Sequence, residues 1–358
     1  MKEISERSFS MKKRTLSFIA ALALSAAALT GCGNASAKNS SEDSVKIAYL
    51  PITHALPVLE EAEELEKENG LKVELVKFGS WPELLDALNT GKVDGASVLI
   101  ELAMKSKQEG VGIKAVALGH HDGNVVIVSN NINDGADLKG KTFAIPHRQS
   151  SHNILLNEVL EKSGLTVDDI NVTELAPTEM PSALASGQID GYCVAEPFGA
   201  MGVATGAGKV LYTSEELWED SVCCGLVLTD KFIENEADKA KSFVESYKKA
   251  GAALDTETAK QTAGKYFKQS SDVLDISLQW ISFDDLDISE ETYTLLTDKV
   301  KKYGLSDNPP TYEEFVKNDC EVTVYPIFPK KAIAVFKFPT LIISKPPGTV
   351  TRKPRLPW

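Results

Sequence analysis

The sequence predicts an α/β protein of two lobes joined by a hinge, each lobe a mixed, mostly parallel sheet flanked by helices. Three observations predict it. Strand-like and helix-like segments alternate from Val45 onward, the rhythm that builds a parallel sheet with helices on its faces. A short pattern recurs at an offset of 96 residues. At 358 residues the chain exceeds one domain of the commonest size and can bury a sizeable core.

The elements follow in order. Val45–Leu50 (VKIAYL) reads as a strand and Ala55–Glu68 as a helix. Leu71–Phe78 alternates as a strand does, Pro82–Asn89 is helical, and Asp94–Leu99 returns as a strand. The pattern Leu88-Asn89-Thr90-Gly91-Lys92-Val93-Asp94-Gly95 recurs as Leu184-Ala185-Ser186-Gly187-Gln188-Ile189-Asp190-Gly191. In both copies a helix ends at a Gly suited to the left-handed C′ position. A polar residue and a β-branched one then lead into Asp-Gly and a buried strand. The period is too long for a solenoid, so the repeat predicts two lobes of related construction.

In the second lobe, strands fall at Val125–Ser129, Thr142–Pro146, Val172–Ala176 and Tyr192–Ala195, with helices at Ser151–Ser163 and Met180–Ser186. The chain returns to the first lobe near Gly225–Thr229. It finishes with helices around Ala237–Leu254, Thr256–Gln269, Val273–Ile281 and Glu290–Tyr303. The lobes therefore span residues 45–119 plus about 225–317, and residues 120–224. Two crossings, Gly119–Gly123 and Ser214–Gly225, make the hinge.

The ends differ in character. Lys12, Lys13 and Arg14 precede the apolar run Leu16–Leu29. That run has the length of a secretory h-region and falls short of the roughly 20 residues that span a bilayer. Residues 1–31 read as a signal peptide whose functional start is Met11, and 32–44 as a flexible spacer. Leu29-Thr30-Gly31-Cys32 resembles the bacterial lipobox. The resemblance implies diacylation of Cys32 and a chain tethered outside the cytoplasmic membrane, held stably only if two or more acyl chains insert. Residues 320–358 are basic and hold seven Pro against nine in residues 45–319. They read as an extra strand region or as a translation artefact such as a frameshift after Asp319.

Net charge is −13, and residues 33–319 carry 26 Lys/Arg against 48 Asp/Glu. Such a surface argues against a nucleic-acid partner. It also gives no long-range attraction to an anion, so local donors must hold one. Besides Cys32, the chain has Cys193, Cys223, Cys224 and Cys320. Adjacent Cys223-Cys224 reads as two buried small side chains. No C-x-x-C zinc spacing occurs.

Candidate binding residues gather at segment edges, where an α/β sheet collects its ligands. All five histidines (His54, His120, His121, His147, His152) lie there. In Pro146-His147-Arg148-Gln149-Ser150-Ser151-His152-Asn153, a Ser caps a helix whose N-terminus suits an anion, and Arg148 adds a fork of donors. In Asp190-Gly191-Tyr192-Cys193-Val194-Ala195-Glu196-Pro197-Phe198, Glu196 sits at a strand's carboxyl end.

The lipobox, Tyr49-Leu50-Pro51-Ile52-Thr53-His54, the Ser-Ser-His helix start and Gly-Tyr-Cys-Val-Ala-Glu-Pro-Phe together resemble the substrate-binding proteins of nitrate/sulfonate/bicarbonate-type ABC importers, a group that includes thiamine-precursor binders. The resemblance covers about residues 45–317. It implies a type II periplasmic-binding-protein fold that closes over a small ligand and presents it to permease subunits in the membrane. It further implies that His152 contacts the ligand and that Glu196 lies in the cleft. The binding set is then Thr53, His54, Trp81, His120, His121, Asp122, Arg148, Ser150, Ser151, His152, Glu179, Tyr192 and Glu196.

Three ligands compete on this reading. A small anion rests on Arg148 and the helix start. A divalent metal such as zinc, or a metal complex, rests on His54, His121, His152 and Glu196, since imidazole and carboxylate suit such ions. A thiamine-type pyrimidine rests on stacking by Trp81, Tyr192 and Phe198. A thiamine-pyrimidine-synthase-like enzyme is the reading from a different class. No Gly-x-Ser-x-Gly, His-Glu-x-x-His or phosphate-loop pattern supports it, so the expectation is a monomeric binder, not an enzyme.

Overall fold

The short apolar runs of the sequence become the strands of two five-stranded sheets. The computed structural model describes residues 44–69 and 71–319, all within one compact unit. The signal segment, Cys32 and the tail from Cys320 lie outside the described residues. In chain order the strands are β1 (Ser44–Tyr49), β2 (Lys72–Lys77), β3 (Gly95–Leu99), β4 (Ile113–Leu118), β5 (His121–Asp122) and β6 (Asn124–Ser129). There follow β7 (Thr142–Ile145), β8 (Asn171–Glu174), β9 (Gly191–Ala195), β10 (Gly208–Thr213), β11 (Cys224–Thr229) and β12 (Ile281–Ser282).

The first sheet has the order β2-β1-β3-β11-β4, and the second β10-β6-β9-β7-β8. In the first, β1 runs parallel to β2 and β3, while β11 runs antiparallel to β3 and β4. In the second, β7 runs parallel to β8 and β9, while β6 runs antiparallel to β9 and β10. The class is therefore mixed α/β. Half of the pairings in each sheet are parallel rather than most of them, because the strands that enter through the crossings run against their neighbours. β3 and β11 are buried along their whole length, as strands covered on both faces are.

The repeat read from the sequence is a repeat in space. Asp94 accepts the Lys46 N–H through Oδ2 at 2.9 Å, and its own N–H donates to the Lys46 carbonyl at 2.9 Å. Asp190 does the same to Thr142, at 2.9 and 2.8 Å. Ile47 pairs with Gly95, and Phe143 with Gly191. Gly91 and Gly187 both take positive φ, 67° and 72°. Each copy thus joins two neighbouring strands, β1 to β3 and β7 to β9, by the same aspartate.

The helix Ile100–Gln108 was not foreseen. It follows β3 with Leu99 as its N-cap and no capping side chain, so the sequence carries no Ser, Asp or Gly to mark the switch from strand to helix. The expected helix Val273–Ile281 is instead Ser271–Ser277, and Ile281–Ser282 pairs with β5. The late helices touch both sheets' layers. Ala237–Ala253 packs on Leu56–Asn69, and Ser271–Ser277 on Phe198–Ala204. Lys299 of Glu290–Lys302 pairs with Glu158 at 2.5 Å. No described helix is long and apolar enough to cross a membrane.

Candidate functional site

The carboxyl ends of β1, β3 and β4 and the start of β11 converge on one point. His54 sits on the 3-10 turn Thr53–Ala55 just after β1, where Nε2 meets the Gly123 carbonyl at 2.9 Å. A carbonyl only accepts, so Nε2 carries the proton and Nδ1 keeps a lone pair. His120 follows β4, and pairing of β11 with β4 brings Cys223 and Cys224 beside it. The Cys224 N–H donates to His120 Nε2 at 3.3 Å. The two imidazoles stack with centroids 3.5 Å apart, and the two thiols lie 3.9 Å apart. One ligating atom from each of His54, His120, Cys223 and Cys224 lies within 4.8 Å of the others, and all four residues are buried.

More buried polar groups surround this cluster. His152, on the first turn of the helix Ser151–Lys162, is fully buried with no partner on either ring nitrogen. The Ser151 hydroxyl, both amide atoms of Asn124, both carboxylate oxygens of Glu101, and Nδ1 of His54 and of His120 also lack partners. Buried polar atoms are ordinarily hydrogen-bonded. Such a concentration, fed by loops of both sheets, makes this the candidate site.

The electrostatics favour a lining that is mostly neutral. Burial, followed by the nearby His54, pulls His120 down to about 4. Burial likewise pulls His152 down to about 4. Burial pushes the Glu101 carboxyl well above the usual range, with Cys223 adding to it. Burial also opposes ionisation of Cys223. The Cys224 thiol and the imidazoles of His152, His120 and His54 outweigh it, leaving Cys223 well below the ordinary thiol. Cys224 moves the other way through burial and its neighbour. Of the two thiols, Cys223 is therefore the more acidic.

The other residues singled out from the sequence take varied places. Thr53 is buried, and both its N–H (2.9 Å) and its Oγ1 (3.1 Å) donate to the Glu196 carbonyl. The Glu196 carboxylate is buried but occupied by the Ala200 N–H at 3.2 and 3.1 Å. Ser150 caps its helix, accepting from the Asn153 N–H and donating to the His147 carbonyl. Asp122 accepts from Ser214 and Ser221, and His121 meets the Asp285 carbonyl through Nε2.

Arg148 is exposed and donates to the Val172 carbonyl, so the structure does not bring it to the cluster. Its backbone turns out where the helix starts. Glu179 is also exposed and accepts from the Ala176 N–H. Trp81 and Tyr192 are core residues, with Tyr192 donating to the Phe198 carbonyl, which leaves neither ring face open for stacking. Phe198 lines a cavity of about 440 Å³ together with Leu50, Pro51, Ile52, Phe78 and Pro177, on the seam between the two sheets' loops.

The metal set read from the sequence is not the set that converges. His121 and Glu196 are held by other partners, whereas His120, Cys223 and Cys224 join His54. Glu101 and Asn124 escaped the sequence reading, which took the two cysteines only as buried small side chains. Two signals were present. Glu101 is an acid just past an apolar strand, close to where Glu196 stands in the other copy of the repeat. Cys223-Cys224 closes the second crossing.

Known proteins now bear on the site. The chain is 28% identical over 195 residues to the nitrate import ATP-binding protein NrtC of a Synechocystis strain, covering 48% of this chain and 29% of that protein. It is 28% identical over 208 residues to the taurine-binding periplasmic protein of Escherichia coli, covering 56% and 63%. The chain thus spans less than two thirds of the length of these curated relatives. Among solved structures, the ligand-binding component of an ABC-type import system from Staphylococcus aureus, with zinc bound, superposes with a TM-score of 0.75 at 43% identity, covering 78% of this chain and 98% of that one. The fold is therefore that of import-system binding proteins. A family model matches residues 38–267, and the chain belongs to the NMT1-like family.

Proposed function

We propose that the chain is the extracytoplasmic solute-binding component of an ABC importer. It binds a small ligand where the loops of the two sheets meet, and hands it to permease subunits in the membrane. It is a monomer, anchored to the bilayer by a lipid on Cys32, and a binder rather than an enzyme. The carrying observation is the concentration of buried, unpartnered polar atoms drawn from both sheets. The nitrate, taurine and import-system names of its relatives support the same reading.

The ligand class we favour is a small anion of the nitrate, sulfonate or bicarbonate type. Ser151, Asn124 and imidazole N–H groups supply neutral donors at a helix start, and burial of Glu101 beside them favours its uncharged form. Native mass spectrometry of residues 35–319 should find a co-purified ligand. A thermal-shift series over nitrate, sulfonates and bicarbonate should raise the melting temperature, since ligand at 100 times Kd adds about 2.7 kcal/mol. If none of these anions moves the transition, the anion reading fails.

One observation favours a second ligand. Four side chains able to ligate a metal face one another, and the Staphylococcus aureus protein was solved with zinc. A divalent metal such as zinc is the alternative occupant of the same site.

A further inference from the structure

We propose that His54, Cys223, Cys224 and His120 form a thiophilic metal site, selective for zinc-like ions over Mg²⁺ and Ca²⁺. This rests on the second reading above and gives it a ligand set.

The distances suit one ion. In a tetrahedral site with Zn–S near 2.3 Å, two thiolates stand about 3.8 Å apart; Cys223 and Cys224 stand 3.9 Å apart. The four ligating atoms lie within 4.8 Å of one another, so closing on a single ion needs shifts of under about 1 Å. The tautomer of His54 suits it too. Its Nε2–H is anchored on the Gly123 carbonyl, the outer-shell arrangement that turns the other nitrogen toward a metal. That other nitrogen, Nδ1, is buried without a partner.

His120 is the fourth ligand and the most conditional. Its Nε2 accepts the Cys224 N–H, so Nδ1 carries the ring proton when no metal is bound. To ligate through Nε2 the ring keeps this tautomer and releases the Cys224 N–H. Binding of Zn²⁺ displaces the thiol protons, and two thiolates then balance the charge of the buried ion. Thiolate and imidazole donors set the preference for zinc-like ions, because Mg²⁺ and Ca²⁺ require oxygen.

The geometry also places the site within the molecule. His54 follows β1, while His120 and the cysteines flank the two crossings. All four ligands thus lie on the first sheet's side or at the crossings.

The test uses the purified full chain, reduced and stripped with chelator, and Zn²⁺ or Co²⁺ as probe. One equivalent of Zn²⁺ should survive dialysis, by elemental mass spectrometry, while Mg²⁺ and Ca²⁺ should not. Co²⁺ should give a near-ultraviolet thiolate-to-cobalt charge-transfer band, which needs no variant and so is independent of folding defects. Cys223→Ser and Cys224→Ser should weaken Zn²⁺ binding by more than the 10–100-fold typical of losing an outer-shell partner. No retained Zn²⁺, no charge-transfer band, or full binding by the serine variants overturns the proposal. Anion binding by the metal-free chain would then still uphold the solute-binding reading, and its absence would sink that reading separately.

Discussion

At the scale of single residues, Glu196 links the seam to solution pH. Its carboxylate is fully buried, and burial raises it to about 8, against the pull of the Ala200 N–H. In the unfolded chain a glutamate titrates near 4.5. The folded state therefore binds more protons than the unfolded one between those values, and stability falls as pH rises. This contribution is fully present below about 4.5 and is lost as pH climbs through about 8. Urea unfolding at pH 5 and pH 8 should show the wild type less stable at the higher pH. Glu196→Gln should flatten much of that drop, and an unchanged drop in the variant would assign the effect to another group. The same residue shows how far the sequence could be read. Glu-Pro at a strand end flagged Glu196, and a Ser-Ser-His helix start flagged His152, because both stand at marked boundaries. Glu101 had no such mark: strand runs into helix through Leu99 and Ile100 with no polar cap between them. Arg148 was legible as a donor, but its direction was not, since one turn of loop decides whether a side chain faces the seam or the Val172 carbonyl.

At the scale of elements, the repeated pattern explains why two segments 96 residues apart needed the same residues. Gly95 and Gly191 each stand where their strand, β3 or β9, passes close to a neighbouring backbone. A Cβ on Gly95 would lie 2.7 Å from the Val227 carbonyl oxygen and 2.5 Å from Leu228; on Gly191 it would lie 3.0 Å from the Ile127 carbonyl oxygen and 2.9 Å from Phe143. Backbone cannot yield as a side-chain tip can. Gly95→Ala and Gly191→Ala should each cost about 1–3 kcal/mol, the range for overpacking a core, measured by denaturant unfolding. The tighter contacts at Gly95 put its cost above that of Gly191; neutral substitutions would mean the sheets relax freely. Strands and most helices were legible because apolar periodicity and Gly stops are local signals. Strand direction was not, because whether β11 runs with or against β3 depends on where the crossing delivers it.

At the scale of the whole molecule, the two sheets meet through a few specific bonds. On one side Thr53 holds the Glu196 carbonyl with both its N–H and its hydroxyl. On the other, Lys299 and Lys302 pair with Glu158 and Glu161, and the Gln149 amide donates to the Leu305 carbonyl. Surface pairs such as Lys302–Glu161 contribute little. The buried Thr53 link contributes about 1 kcal/mol, the net worth of an ordinary hydrogen bond. On the proposed binding function these bonds belong to a closed arrangement that must also open to admit a ligand. The open and closed populations then differ by a few kcal/mol, so losing one link shifts them measurably. Thr53→Val keeps the backbone bond and the side chain's volume but removes the hydroxyl. It should weaken ligand affinity by about fivefold to tenfold while leaving the melting temperature of the unliganded protein nearly unchanged. Small-angle scattering supplies the structural half of this prediction. Adding ligand should reduce the radius of gyration of the wild type, and Thr53→Val should need more ligand to reach the same compact value. A radius indifferent to saturating ligand would mean that the two sheets do not move against each other, and that the ligand enters by local fluctuation of the seam.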